Sequence, residues 1–128
     1  MEELKVSQTI SLNRIADLLC CAWEGGSSYW ARAEREQKPE KMTFVSTAST
    51  GCYQHEIPLN KGGWVQLRDI EDDKIIPQKL NLKAIKKGLQ IMADKYPKHF
   101  GDFMNENEDA DTGDVFLQCC IFGDVIYG

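Results

Sequence analysis

The chain has 128 residues, of which 42% are apolar and 27% charged, and its formal net charge is −5. That length fits one domain, residues 1–128, able to bury a core without a disulfide or metal staple, and the composition excludes disorder for its body. The acidic balance argues against general nucleic-acid binding and against anionic membranes, and no apolar run approaches the roughly 20 residues of a membrane span.

The first residues, "MEELKVSQTI", are acidic and polar, unlike a signal peptide, and "VSQTI" is expected as a short edge strand. In "SLNRIADLLCCAWEG", Leu12, Ile15, Leu19 and Ala22 recur at spacings of three and four, which predicts an amphipathic helix. Ser11 is its expected N-cap and Gly25 its expected C′ residue. Residues 29–35 read as extended, and a further strand is expected around Met42 to Ser46. "CYQHEIPL" and "GGWVQLRDI" predict two strands joined through "NKGG" as a hairpin. "IIPQKL" then leads into a second helix, where Leu82, Ile85, Leu89, Met92 and Tyr96 form one stripe behind the N-cap Asn81. Pro97 ends that helix, and "KHFGDFMNE" predicts a short additional one. The third main helix, "GDVFLQCCIFG", is apolar all round and should be buried, with Asp111 or Thr112 as its N-cap. "DVIYG" is expected as a closing strand. The sum is an α+β fold, a small, mostly antiparallel sheet packed with about three helices.

The stretch with most chemical promise is "CAWEGGSSYWAR". "GGSS" follows a helix C-terminus, the wrong end for a phosphate cradle, and no Gly-Lys-Ser/Thr makes a Walker loop. It is first a helix stop. Its aromatics, Trp23, Tyr29 and Trp30, could still offer a stacking wall for a ring, and the hydroxyls of Ser27 and Ser28 with Arg32 beyond could hold an anion. "GGWVQLRD" places Trp64, Gln66 and Arg68 on one strand face and Val65, Leu67 and Asp69 on the other. Trp64 and Arg68 therefore offer a second wall, in residue types common at interface hot spots.

Other constellations are weaker. Five cysteines, four of them in the adjacent pairs Cys20-Cys21 and Cys119-Cys120, point to a reduced, cytoplasmic protein with thiols acting as small hydrophobes. Neither the cysteines nor His55 and His99 have zinc spacing, and "DADTGD" fails the calcium-loop pattern, so no metal and no cofactor is expected. A small hydrolase or transferase would have to use Cys52, His55 and His99, with Asp102 orienting a histidine, brought together by the fold.

"ISLNRIADLLCCAWEGGSSYW" and "LQIMADKYPKHFGDFMNENEDADTGDVFLQCCIFGDVIYG" resemble a family of small proteins encoded by bacteriophages and prophages. The resemblance covers about half of the chain, brings no catalytic residues with it, and implies a role in the host cytoplasm, against host defences. The expectation is a non-enzymatic binder that sequesters a nucleotide-type signal or occludes a host defence protein, as a monomer or a small homo-oligomer. Its ligand residues would be Ser27, Ser28, Tyr29, Trp30, Arg32, Trp64 and Arg68. A virion accessory or assembly protein is the remaining alternative.

Overall fold

The computed structural model describes residues 8–44 and 53–128. Helix α1 spans Leu12–Cys21, and Ser11 caps it by accepting the Arg14 amide on its hydroxyl. The chain does not stop there but widens into one π-type turn, Ala22–Gly26, closed by the Ser27 amide donating to the Ala22 carbonyl. Gly25 lies inside that turn at φ +148°, a backbone shape that side chains resist. Gly25 is therefore inside the turn and not the C′ residue expected of it; the turn ends at Gly26 with Ser27 as its C-cap, still within "GGSS".

Strand β1 follows at Ala31–Gln37, then β2 at Trp64–Asp69 and β3 at Lys74–Leu80. The three form one antiparallel sheet in the order β1-β2-β3. The expected alternation of β2 is present except at Gln66: Val65, Leu67 and Asp69 are buried and Trp64 and Arg68 stay half-buried, but Gln66, expected beside those two, is buried, its Nε2 donating to the Ile76 carbonyl. Helix α2 spans Leu82–Lys95 behind the Asn81 cap, α3 spans Pro97–Met104, and α4 spans Ala110–Phe122. The α+β class is as expected, with α3 as the short additional helix.

Four local expectations are corrected. Gln54–Leu59 is a 3-10 helix and not a strand, so "NKGG" joins no hairpin; Pro58 lacks the amide a ladder needs. The missing hairpin partner is β3, which tolerates Pro77 because it lies at the sheet edge. The N-cap of α4 is Asp109, whose carboxylate accepts both the amide and the hydroxyl of Thr112. Residues 124–128 form no strand. Of the two remaining strand expectations, the described parts, residues 8–10 and 42–44, are not in strands, and the rest lies outside the described residues.

Helix α4 is the centre of the packing, against α2, α1 and the π-type turn. Phe116, Leu117, Cys119, Cys120 and Ile121 are all buried, as an apolar-all-round helix requires. Two glycines set the distances. A Cβ on Gly88 of α2 would lie 2.3 Å from the Cys120 Sγ, and one on Gly113 would lie 2.6 Å from the Ala22 amide nitrogen. Arg14 joins α1 to α3: it donates to the Phe103 carbonyl at 2.6 Å, lies over the Phe103 ring and pairs with Glu108.

Candidate functional site

The "GGSSYW" loop is organised round one buried carboxylate from α4. Ser27 Oγ and Trp30 Nε1 donate to Asp114 Oδ1 at 2.8 and 2.7 Å, while Tyr29 Oη and Gln118 Nε2 donate to Oδ2 at 2.6 and 3.1 Å. Four donors meet the lone pairs of a carboxylate that has almost no access to water. Burial together with the Asp114 bond pushes the Tyr29 phenol up to about 12.

Gln118 extends the network to the chain's last residues. Its Oε1 accepts the Ile126 and Tyr127 amides at 2.8 and 2.9 Å, and its Nε2 donates to the Tyr127 carbonyl at 3.1 Å. One side chain thus does the work of a neighbouring strand for residues 126–127. The Tyr127 ring stacks on Trp30, with centroids 5.2 Å apart and planes 14° apart, and its hydroxyl donates to Asp69. The stretch "GGSSYW" is thus fastened to "TGDVFLQ" and "IYG".

The candidate ligand residues separate into three groups. Ser27, Tyr29 and Trp30 serve the Asp114 network, and Trp30 is fully enclosed, with Tyr127 and Phe122 against its ring. Trp64 and Arg68 lie on the outer sheet face, as expected, with the Lys79 ammonium 4.0 Å from the Trp64 ring centroid. Arg32 stands directly opposite Arg68 across the β1–β2 pair, and both turn to Glu34, which sits at a bulge in β1. Arg68 grips Glu34 with two bonds, at 3.0 and 3.1 Å, whereas Arg32 only approaches it at 3.9 Å with its side chain 63% exposed. Arg68 also bonds Asp73. The Arg68 bond, reinforced by the charges of Arg32 and Arg35, holds the Glu34 carboxyl below its usual range.

Ser28 belongs to a third place, a cavity of about 290 Å³ between the π-type turn and β1. Trp23, Ser28, Ala31, Arg32, Ala33 and Gln54 are among its lining residues. Trp23 Nε1 donates to Gln54 Oε1 at 3.1 Å, and Gln54 Nε2 donates in turn to Glu36 at 3.2 Å. Gln54 and Arg35 escaped the reading of the sequence; nothing in local spacing brings residues 23, 35 and 54 together.

The histidines occupy different neighbourhoods. His55 packs against Trp23 and Tyr53, 3.8 Å from Glu56, and burial pushes its imidazole pKa down. His99 lies 3.5 Å from Thr112 Oγ1, beside Asp109, whose carboxyl is held below its usual range first by the Thr112 amide. Cys52 lies outside the described residues. Burial raises the thiols of Cys119 and Cys20 to about 11 and that of Cys120 well above its ordinary value. Among the described residues, no group of three or more acidic, Cys or His side chains is placed to hold a metal ion, and no helix is long and apolar enough to cross a membrane.

No family model, no curated protein and no solved structure matches the chain.

Proposed function

We propose that the protein is a non-enzymatic binder that sequesters a small nucleotide-type anion on the β1–β2 side of the sheet. In keeping with the resemblance of its two ends to phage and prophage proteins, the anion would be a host defence signal. The observation that carries the reading is the arrangement of Arg32, Arg35 and Arg68. Arg32 and Arg68 are cross-strand partners, and like charges so placed repel. Arg35, opposite Gln66, shares the face. Glu34 and Asp73 answer part of the charge, and both are engaged by Arg68. Arg32 is left extended and mostly exposed, in a chain whose overall charge is −5. Guanidinium groups gathered in this way suit a phosphate, which they bind through paired N–H donors.

The test is calorimetric titration with inorganic pyrophosphate and with ADP, at low and physiological salt. Binding of one or both is expected, weakened by salt and at least tenfold weaker in the Arg32→Ala/Arg35→Ala variant. No binding of either, or equal binding by the variant, would overturn the reading.

A further inference from the structure

The arginine cluster accounts for a charge but not for what carries it. The sheet face that bears the arginines also bears an indole. Strand β2 is regular, because the extra residues of both irregular ladders sit in β1 and β3. Trp64, Gln66 and Arg68 therefore alternate onto one side, while Val65, Leu67 and Asp69 turn to the core. Gln66 donates to the Ile76 carbonyl, which turns its side chain towards β3 and away from β1. Lys79, the cross-strand partner of Gln66, holds its ammonium 4.0 Å from the Trp64 ring centroid, so it shares this face. The other two tryptophans do not. Trp30 is enclosed in the core, and Trp23 lines the cavity whose floor is the inward-facing Ala31, Ala33 and Leu67.

The register sets the reach. Trp64 stands opposite Gln37 and Gln66 opposite Arg35, so Trp64 and Arg35 are diagonal neighbours, about 7–8 Å apart and within reach of long side chains. Arg68 lies four residues from Trp64, about 13 Å further along the strand, with Arg32 opposite it. A nucleoside monophosphate matches the first separation, and a longer phosphate chain would run on towards the second. Lys79 is exposed, and its ammonium covers a ring face that a base could use. An exposed cation holds an indole more weakly than a stacked base does, so a base can displace Lys79, which stays beside the phosphate as a further cation.

Resting on the function proposed above, we infer that Trp64 is the stacking platform for the ligand's nucleobase, with the first phosphate at Arg35 and any further ones running towards Arg32 and Arg68. The ligand class is then a nucleoside phosphate, not an inorganic or sugar phosphate. The indole supplies the affinity for the ring, and the guanidinium groups supply the affinity for the charge.

The experiment is a fluorescence and calorimetric titration with AMP, GMP, CMP and UMP, set against ribose 5-phosphate. At least one nucleotide is expected to bind tenfold or more tightly than ribose 5-phosphate and to quench tryptophan emission. Trp64→Leu, which keeps an apolar side chain but no ring, should remove both the preference and the quenching, with ribose 5-phosphate binding within about twofold. Trp23→Phe should leave the preference in place. If Trp64→Leu fails to fold, Lys79→Gln gives the second reading: with the competing cation gone, the preference should rise at least twofold. Nucleotides binding no better than ribose 5-phosphate, a preference untouched in a folded Trp64→Leu protein or unraised in Lys79→Gln, or one that Trp23→Phe removes, would overturn the inference. If ribose 5-phosphate and pyrophosphate still bound in that case and depended on Arg32 and Arg35, the anion reading would stand without it. Loss of that dependence would remove both.

Discussion

Trp30 donates its indole N–H to the carboxylate of Asp114 at 2.7 Å, across 84 residues of sequence. That bond turns a glycine- and serine-rich loop into a fixed corner of the core. The enclosed indole is worth up to about 5 kcal/mol at about 25 cal/mol per Å² over about 200 Å², but only if its one polar group has a partner. Asp114 supplies the partner, and Ser27, Tyr29 and Gln118 complete the carboxylate's own needs.

Asp114→Asn should therefore cost more than an ordinary core change. The amide nitrogen would face two donors that now meet an oxygen, and bonds to a charged acceptor are worth about 1.5–3 kcal/mol each. A loss of about 3 kcal/mol in urea denaturation is expected, with weakened protection of the amides of Ile126 and Tyr127 in hydrogen exchange as Gln118 loses its anchor. A loss under about 1 kcal/mol would show that the network contributes little.

Two glycines make a matched pair. Gly113→Ala would put a Cβ 2.6 Å from the Ala22 amide nitrogen and 2.7 Å from Cys21 Cβ, so α4 must move away from α1. Overpacking of this kind costs roughly 1–3 kcal/mol. Gly101 in α3 meets nothing within 4 Å, and Gly101→Ala should stabilise by up to about 1 kcal/mol through helix propensity. Thermal melts of the two variants should move in opposite directions.

The tyrosines carry a pH signature. Tyr127 is pushed up to about 12 by its bond to Asp69 and by burial, and Tyr29 to about 12 by burial and its bond to Asp114. A phenol raised in the fold contributes stability that is fully present below its unfolded pKa, about 10, and is lost as pH rises towards about 12. Asp69 has the opposite sense: its carboxyl is held low, by the Tyr127 hydroxyl first, so its share is lost as pH falls below the ordinary carboxylate range. Phenolate absorbance should show at least two tyrosines ionising near pH 12, and Tyr127→Phe should remove one of them and flatten the acid limb of the stability curve. Ionisation of every tyrosine near 10 in the folded protein would contradict the geometry.

The helices were readable because their signals are local. Ser11 and Asn81 cap where the apolar stripes begin, and the all-apolar run of α4 announced its burial. The β2 faces followed from simple alternation except at Gln66, which is buried. The 3-10 helix at Gln54–Leu59 was misread because Tyr53, His55 and Ile57 also alternate, and β3 was passed over because Pro77 and its charges obscure an edge strand. The Asp114 network could not be located from spacing, since its parts are 84–87 residues apart. A clue was present in α4 itself: Asp114 and Gln118, four residues apart on a helix expected to be buried, had to find polar partners somewhere. The arginine cluster depends on the β1–β2 register and on the bulge at Glu34, which no periodicity encodes.

The central claim, that the chain holds a nucleotide-type anion beside Arg32, is tested most directly by native mass spectrometry of protein purified from cells with active nucleotide-signalling defences. The wild-type chain should carry a nucleotide-sized added mass, and the Arg32→Ala/Arg35→Ala variant should not. A bare wild-type mass, or the same added mass on both proteins, would contradict the account.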